Sequence, residues 1–231
     1  MKCWICGNDG TTGEHSFKAS DIQLYFPSAS SKSPIYIHKK HKKNIVVQGK
    51  KSDRLKSQAL ICSHCNDART QKHDNAWKAL SSHINRNGHS IAKSKKIKLK
   101  DVYKGNSKKS GINLQLYFLK LFGCLLVESK NDILAKEFAD CIVNKISHPK
   151  VYLYVIKCKS YLGAACYGIS GLTVVYSLGS LASAGYEYMI GDYCVVVRYA
   201  SPDYCSKFYL KGWQPTGTSK YLKLSKRLPF V

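Results

Sequence analysis

The chain has 231 residues, with 37 Lys+Arg against 14 Asp+Glu and a formal net charge of +23. That length allows one large or two small domains, and a 44% hydrophobic content supplies enough core material to exclude a disordered polycation. The two halves differ: residues 1–110 carry 23 basic and 7 acidic residues and 3 of the 16 tyrosines, whereas 111–231 carry 14, 7 and 13. An N-terminal unit facing a polyanion and a packed, strand-rich C-terminal unit are expected, with a phosphate-rich partner ahead of an anionic membrane surface.

Residues 1–15 read as a metal knuckle, with Gly7-Asn8-Asp9-Gly10 as its turn, followed by an extended strand through Thr11-Thr12-Gly13-Glu14-His15. The opening Met1-Lys2-Cys3-Trp4-Ile5-Cys6 has no apolar signal-peptide core, so a cytoplasmic location is expected. From Ser28 to Lys56 the chain is polar and basic. Within it, Ile35-Tyr36-Ile37 and Ile45-Val46-Val47 are strand candidates, joined by a charged tip that contains Lys39, Lys40, Lys42 and Lys43. A helix is expected after Cys65, capped by Asp74, apolar at Trp77, Leu80 and Ile84, and stopped by Gly88. The Lys-rich stretch that follows reads as a linker, which divides the chain into domains at 1–90 and 111–231 with a connector at 91–110.

Gly111 opens an apolar core helix through Val127, interrupted by Lys120. A second helix starts at Asp132, with Ile133, Leu134, Phe138, Ile142 and Val143 on one side, and ends by His148-Pro149. Strands are expected at Val151–Ile156, Thr173–Tyr176, Tyr186–Ile190, Tyr193–Tyr199 and Lys207–Leu210. No residue between Lys159 and Glu187 is charged. That stretch is rich in Gly, Ser and Tyr, which favours turns and buried strands over a membrane span. The C-terminal tyrosines read as half-buried strand formers before they read as a base-stacking platform, and Trp213 as an exposed loop residue. His73, His83 and His89 are expected on a polar helical face.

The ten cysteines include two Cys-x-x-Cys pairs, Cys3/Cys6 and Cys62/Cys65; the other six are scattered. Four thiolates presented from two tight turns suit tetrahedral Zn²⁺, and a closed four-sulfur shell makes such an ion structural. It would draw together the strand bearing Glu14-His15 and the helix start bearing Asn66. A carboxylate and a carboxamide oxygen are hard ligands suited to Mg²⁺ or Mn²⁺, and a neutral His beside them can deprotonate water. A metal and a base facing a phosphate suit phosphodiester hydrolysis.

The set Cys3-x-x-Cys6, Glu14-His15, Cys62-x-x-Cys65-Asn66-x-x-Arg69 resembles the HNH (ββα-metal) endonucleases with a zinc-bound frame, over roughly residues 1–85. The resemblance implies a zinc-framed ββα unit; with the helices and strands read from the pattern of 111–231, an α+β fold is expected in which that unit precedes a mixed α/β domain of two helices and mostly antiparallel strands. It implies His15 as general base, Glu14 and Asn66 as ligands of one catalytic divalent ion, and Arg69 as a phosphate contact. Lys18, Lys39, Lys40, Lys42 and Lys43 are expected to add grip on DNA. The sequence departs from the family pattern in having Ser57 where an Asn is usual and Ser16-Phe17-Lys18 where a Pro often follows the base. Its connection between strand and helix is also long and basic. A restriction or phage-defence nuclease is the implied role, with the C-terminal domain serving recognition, regulation or dimerisation. RNA stays beside DNA as substrate, because a phosphate-gripping site does not distinguish sugars, and cutting both strands would suit a homodimer. The rival expectation is a non-catalytic, zinc-dependent nucleic-acid-binding protein on the same scaffold.

Overall fold

The computed structural model describes residues 1–39, 42–50, 52–158, 165–202, 212–215 and 220–225. Its architecture is α+β, with antiparallel sheets among the described residues. Strand β1 (Thr12–His15) pairs antiparallel with β4 (Lys56–Ile61), Thr12 opposite Ile61 and His15 opposite Lys56, with a bulge between Gly13 and His15. Gly13 lies so close to the Ser57 carbonyl that a Cβ would overlap it, so the bulge requires glycine. The basic connection between these strands holds helix α1 (Ala19–Tyr25), the hairpin β2 (Ile35–Lys39) and β3 (Lys42–Val47), and a 3₁₀ turn at Asp53–Leu55. The hairpin follows its Ile/Val alternation; the tip residues Lys40 and His41 lie outside the described residues.

After β4 a π-helical turn, Cys65–Arg69, leads into α2 (Gln71–Ser94). The Thr70 hydroxyl donates back to the Cys65 carbonyl (2.9 Å) and ties the turn to the helix. Asp74 lies one turn inside α2 and does not cap it, because its carboxylate is drawn inward by two lysines. The apolar stripe Trp77, Leu80, Ile84 is buried as its spacing predicts. The helix does not stop at Gly88. It kinks at Asn87 (φ −119°, ψ 15°) and continues to Ser94, where Lys95 adopts a left-handed conformation. A mid-helix glycine costs only about 1 kcal/mol, and the continuation buries Ile91.

Residues 91–110, expected as a linker, fold onto the body. They contain the end of α2, strand β5 (Lys96–Lys98), the short α3 (Leu99–Val102) and the start of α4 (Ser107–Glu128), and they bury Ile91, Ile97, Leu99 and Tyr103. β5 pairs with β11 (Tyr221–Lys223). One hydrophobic cluster runs from Cys3 to Leu222, across both expected boundaries. At its centre is α4. This helix is long and apolar enough to cross a membrane, with a mean hydropathy of 1.4, but that window is 72% buried inside the protein. Trp4 of the knuckle packs on it at Gly123, where a Cβ would overlap the indole.

Helix α5 (Asp132–Asn144) buries Leu134, Ala135, Phe138, Cys141 and Ile142; Ile133 and Val143, expected on the same side, are exposed because they fall off the 134–138–142 row. Strands β6 (Val151–Lys157), β7 (Cys166–Ile169), β8 (Thr173–Ser177), β9 (Ser180–Gly191) and β10 (Tyr193–Ala200) form one sheet in the order β6-β10-β9, with β7 and β8 both on β9. The described part of the uncharged stretch is therefore sheet. On β9, Tyr186 and the neighbouring Tyr188 enter the core, Tyr186 donating to the Phe118 carbonyl (2.8 Å) and Tyr188 to Asp21 (2.6 Å), whereas Tyr167 and Tyr176 are exposed. Trp213 is buried, not exposed, because its backbone bridges to Leu153. The strand expected at Lys207–Leu210 lies outside the described residues.

Candidate metal centre and buried charge network

The knuckle turns at Gly7 (φ 77°), with the Gly7 N–H donating to the Cys3 carbonyl (2.8 Å), and so presents Cys3 and Cys6 together. The second pair is presented by the end of β4 and the π-turn, where the Cys65 N–H points at the Cys62 sulfur (3.4 Å). All four Sγ atoms lie within 4.8 Å of one another, and Cys6 and Cys62 are 3.6 Å apart. A tetrahedral ion with metal–sulfur bonds of about 2.3 Å separates its sulfurs by about 3.8 Å. The cluster fits that requirement and could hold a structural metal ion such as zinc. Arg69 places a guanidinium nitrogen 3.3 Å from the Cys65 sulfur, so this expected phosphate contact faces the cysteine cluster, where its charge complements thiolates.

Glu14 and His15 diverge. Glu14 is 3% exposed and its Oε2 accepts from Lys120 Nζ at 2.9 Å. His15 is half-buried at the strand end, and its Nε2 has no hydrogen-bond partner. Burial holds the His15 pKa below the usual histidine range against the opposing charge of Glu14, so the ring is neutral at physiological pH. Asn66 is half-buried in the π-turn, its N–H bound to the Cys62 carbonyl (2.9 Å). Among the described residues neither Glu14 nor His15 hydrogen-bonds Asn66. A hard-cation site on Glu14 and Asn66 has suitable donor chemistry, but Lys120 already holds one Glu14 oxygen.

Sequence reasoning did not foresee the role of Lys120. Its ammonium, in the middle of α4, is 0% exposed. It reaches Glu14, Asp74 Oδ1 (3.0 Å) and Thr70 Oγ1 (3.1 Å). Burial alone would favour the neutral amine, but the two carboxylates outweigh it and hold the pKa above the ordinary lysine value. Lys18, expected on phosphate, instead pairs with Asp74 Oδ2 at 2.7 Å, and its backbone N–H donates to Tyr188 (2.9 Å). Beside this network Asp21 accepts from Trp77 (2.7 Å), Ser81 (2.6 Å) and Tyr188 (2.6 Å), which joins α1, α2 and β9. Ser57 donates to Glu128 of α4 (2.6 Å). The charges thus link β1, β4 and α2 to the core helix.

His73 is 1% exposed, not on a polar face, and its Nδ1 is unpartnered. Burial, aided by the Lys120 charge, lowers its pKa to about 4. A histidine whose native pKa lies below its unfolded value of about 6.5 contributes fully above that value and loses its contribution as pH falls toward 4. Unfolding free energies from urea titrations should therefore decline between pH 6.5 and 4, by on the order of 3 kcal/mol from this group. His73→Gln should flatten that decline, and an unchanged slope would show that His73 does not carry it.

Lys43 of the basic hairpin is exposed; the side chains of Lys39, Lys40 and Lys42 lie outside the described residues. Comparison with protein-family models, characterised proteins and solved structures finds no match.

Proposed function

We propose that this chain is a metal-dependent endonuclease of the ββα-metal type, with Zn²⁺ on Cys3, Cys6, Cys62 and Cys65 and a DNA phosphodiester as substrate. One observation carries the reading: β1 pairs antiparallel with β4, and β4 runs directly into the cysteine-anchored turn that opens α2. That is the strand–strand–helix order the motif residues call for, despite the 40-residue basic connection between His15 and Lys56. His15 is neutral and its Nε2, shielded from solvent, has no competing hydrogen-bond partner, so it could accept a proton from a water brought in with substrate. Glu14 and Asn66 are the residues that would hold a divalent ion, which would stabilise charge on the phosphate oxygens. The hairpin and its lysines would grip the backbone on either side of the scissile bond. The likeness of the motif to that family, by itself, suggests restriction or phage defence as the setting.

A second reading has its own observation. Lys120 neutralises Glu14 from inside the fold, as expected of a scaffold that binds nucleic acid without cutting it. Plasmid nicking with Mg²⁺ or Mn²⁺, with and without chelator, separates the two. The nuclease reading expects chelator-sensitive nicking, lost by at least about 100-fold in His15→Ala, the usual scale for a general base. Binding without cleavage at any metal concentration would establish the second reading, and full cleavage by His15→Ala would remove His15 from the mechanism.

A further inference from the structure

β5 and β11 form a two-stranded ribbon whose alternation sorts its side chains by chemistry. Ile97 and Leu222, each 1% exposed, point into the core. Lys96, Lys98, Tyr221 and Lys223 share the exposed face, with Tyr221 opposite Lys98 and Lys223 opposite Lys96. None of the three lysines has a carboxylate partner among the described residues. The Lys96 ammonium lies 5.0 Å from the centre of the Tyr221 ring. Beside this face, where α2 kinks at Asn87, is a groove of about 450 Å³. Tyr221, Lys96 and Lys98 line one side, and His83, Asn87 and Asp101 are among the polar groups lining the rest.

We propose that the ribbon and groove bind single-stranded nucleic acid, with the phosphodiester backbone on Lys96, Lys98 and Lys223 and one base against Tyr221. The volume suits a single nucleotide unit, at the low end of small-ligand sites. The pairing of an aromatic face with unneutralised cations is the chemistry by which proteins hold single strands. A lone acid in the groove, Asp101, would repel a phosphate but can accept hydrogen bonds from a base, which orients the strand with its backbone on the ribbon side. A closed duplex offers no free base face to Tyr221. The proposal rests on the reading of this chain as a nucleic-acid enzyme and adds a contact surface distinct from the β2–β3 hairpin.

The test is fluorescence anisotropy of a labelled oligothymidylate of about 20 nucleotides, long enough to span a typical single-strand site, with the full chain across a salt series. Tyr221→Ala should weaken binding roughly 5- to 100-fold, the span of one lost base stack, while Tyr221→Phe keeps the ring and binds as the parent does. Replacing Lys96, Lys98 and Lys223 together by Gln should lower the log–log salt slope by about 2. Lys43→Gln is the control for general charge loss and should leave the Tyr221 dependence intact. The proposal is overturned if affinity and slope are unchanged in these variants while their thermal unfolding matches the parent, or if a duplex competes equally through the same residues. Loss of plasmid nicking with this binding retained would sink the nuclease reading alone; nicking retained with Tyr221→Ala binding as the parent would sink this one alone.

Discussion

Cys65→Ser, or chelation of any ion the four cysteines hold, is expected to be among the most damaging changes short of truncation. The four sulfurs come from the N-terminal knuckle and from the junction of β4 with α2. An ion held by them would therefore tie the start of the chain to the strand–helix unit. β1 has only four residues and pairs with β4 alone, and an isolated two-stranded pair is marginal in water. Structural zinc contributes about 10–16 kcal/mol in isolated finger peptides. Here Trp4 on α4 and the shared core would retain part of that. A loss of at least about 3 kcal/mol is expected, or roughly 6–12 °C in Tm for a chain of this size. The ion released by a thiol-blocking mercurial and counted with a colorimetric chelator should be one zinc per chain. Amide exchange should rise first in β1 and β4 while β9 and β10 keep their protection. An unchanged Tm and metal content in Cys65→Ser would end the assignment.

The local half of this architecture was legible. Alternation in Ile35–Ile37 and Ile45–Val47 gave a hairpin, the runs at Val151 and Tyr193 gave neighbouring strands, and the two Cys-x-x-Cys pairs converge as their chemistry demands. What stayed hidden is what depends on distant partners. β4, which opens Lys-Ser-Gln, is not among the expected strands; Ser57 and the Gln58 N–H are satisfied by Glu128, about 70 residues away. Gly88 looked like a helix stop, yet its carbonyl accepts from Tyr193 (2.6 Å) and the helix runs on beneath that ring. His73 looked solvated because its own helix is polar; it is buried by partners outside the local pattern, near the Lys120 charge of α4. One signal was available. A single lysine within the apolar run of α4 needs an internal counter-charge, since an unpaired ammonium is too costly to bury, and that requirement predicts an acid from another element reaching the core helix. Domain organisation followed from the same omission. A Lys-rich stretch reads as a linker only when Ile91, Ile97, Leu99 and Tyr103 within it go unweighed.

Lys120→Met should destabilise the protein by about 3–5 kcal/mol, the usual cost of removing one partner of a buried ion pair. The methionine nearly fills the same volume, so the penalty comes from the carboxylates left behind. Asp74 keeps Lys18 at 2.7 Å; Glu14, 3% exposed, keeps no cation among the described residues. Adding Glu14→Gln to Lys120→Met removes the stranded charge and should recover more than half of the loss, while Glu14→Gln alone, which leaves Lys120 with Asp74, should cost less than Lys120→Met. Urea unfolding of the four species closes this cycle, and additive effects would mean that the pair does not interact. The same variants decide what the contact does for function. If Glu14 is a metal ligand, Lys120 and the ion compete for it, so Lys120→Met should lower the Mn²⁺ concentration that supports nicking whenever the protein remains folded, and Glu14→Gln should abolish nicking in either background. If Glu14 exists to hold the core helix against β1, nicking will follow stability alone and Glu14→Gln will cut as well as the parent. The lysine at the centre of the most apolar helix is thus where the two readings of this protein separate.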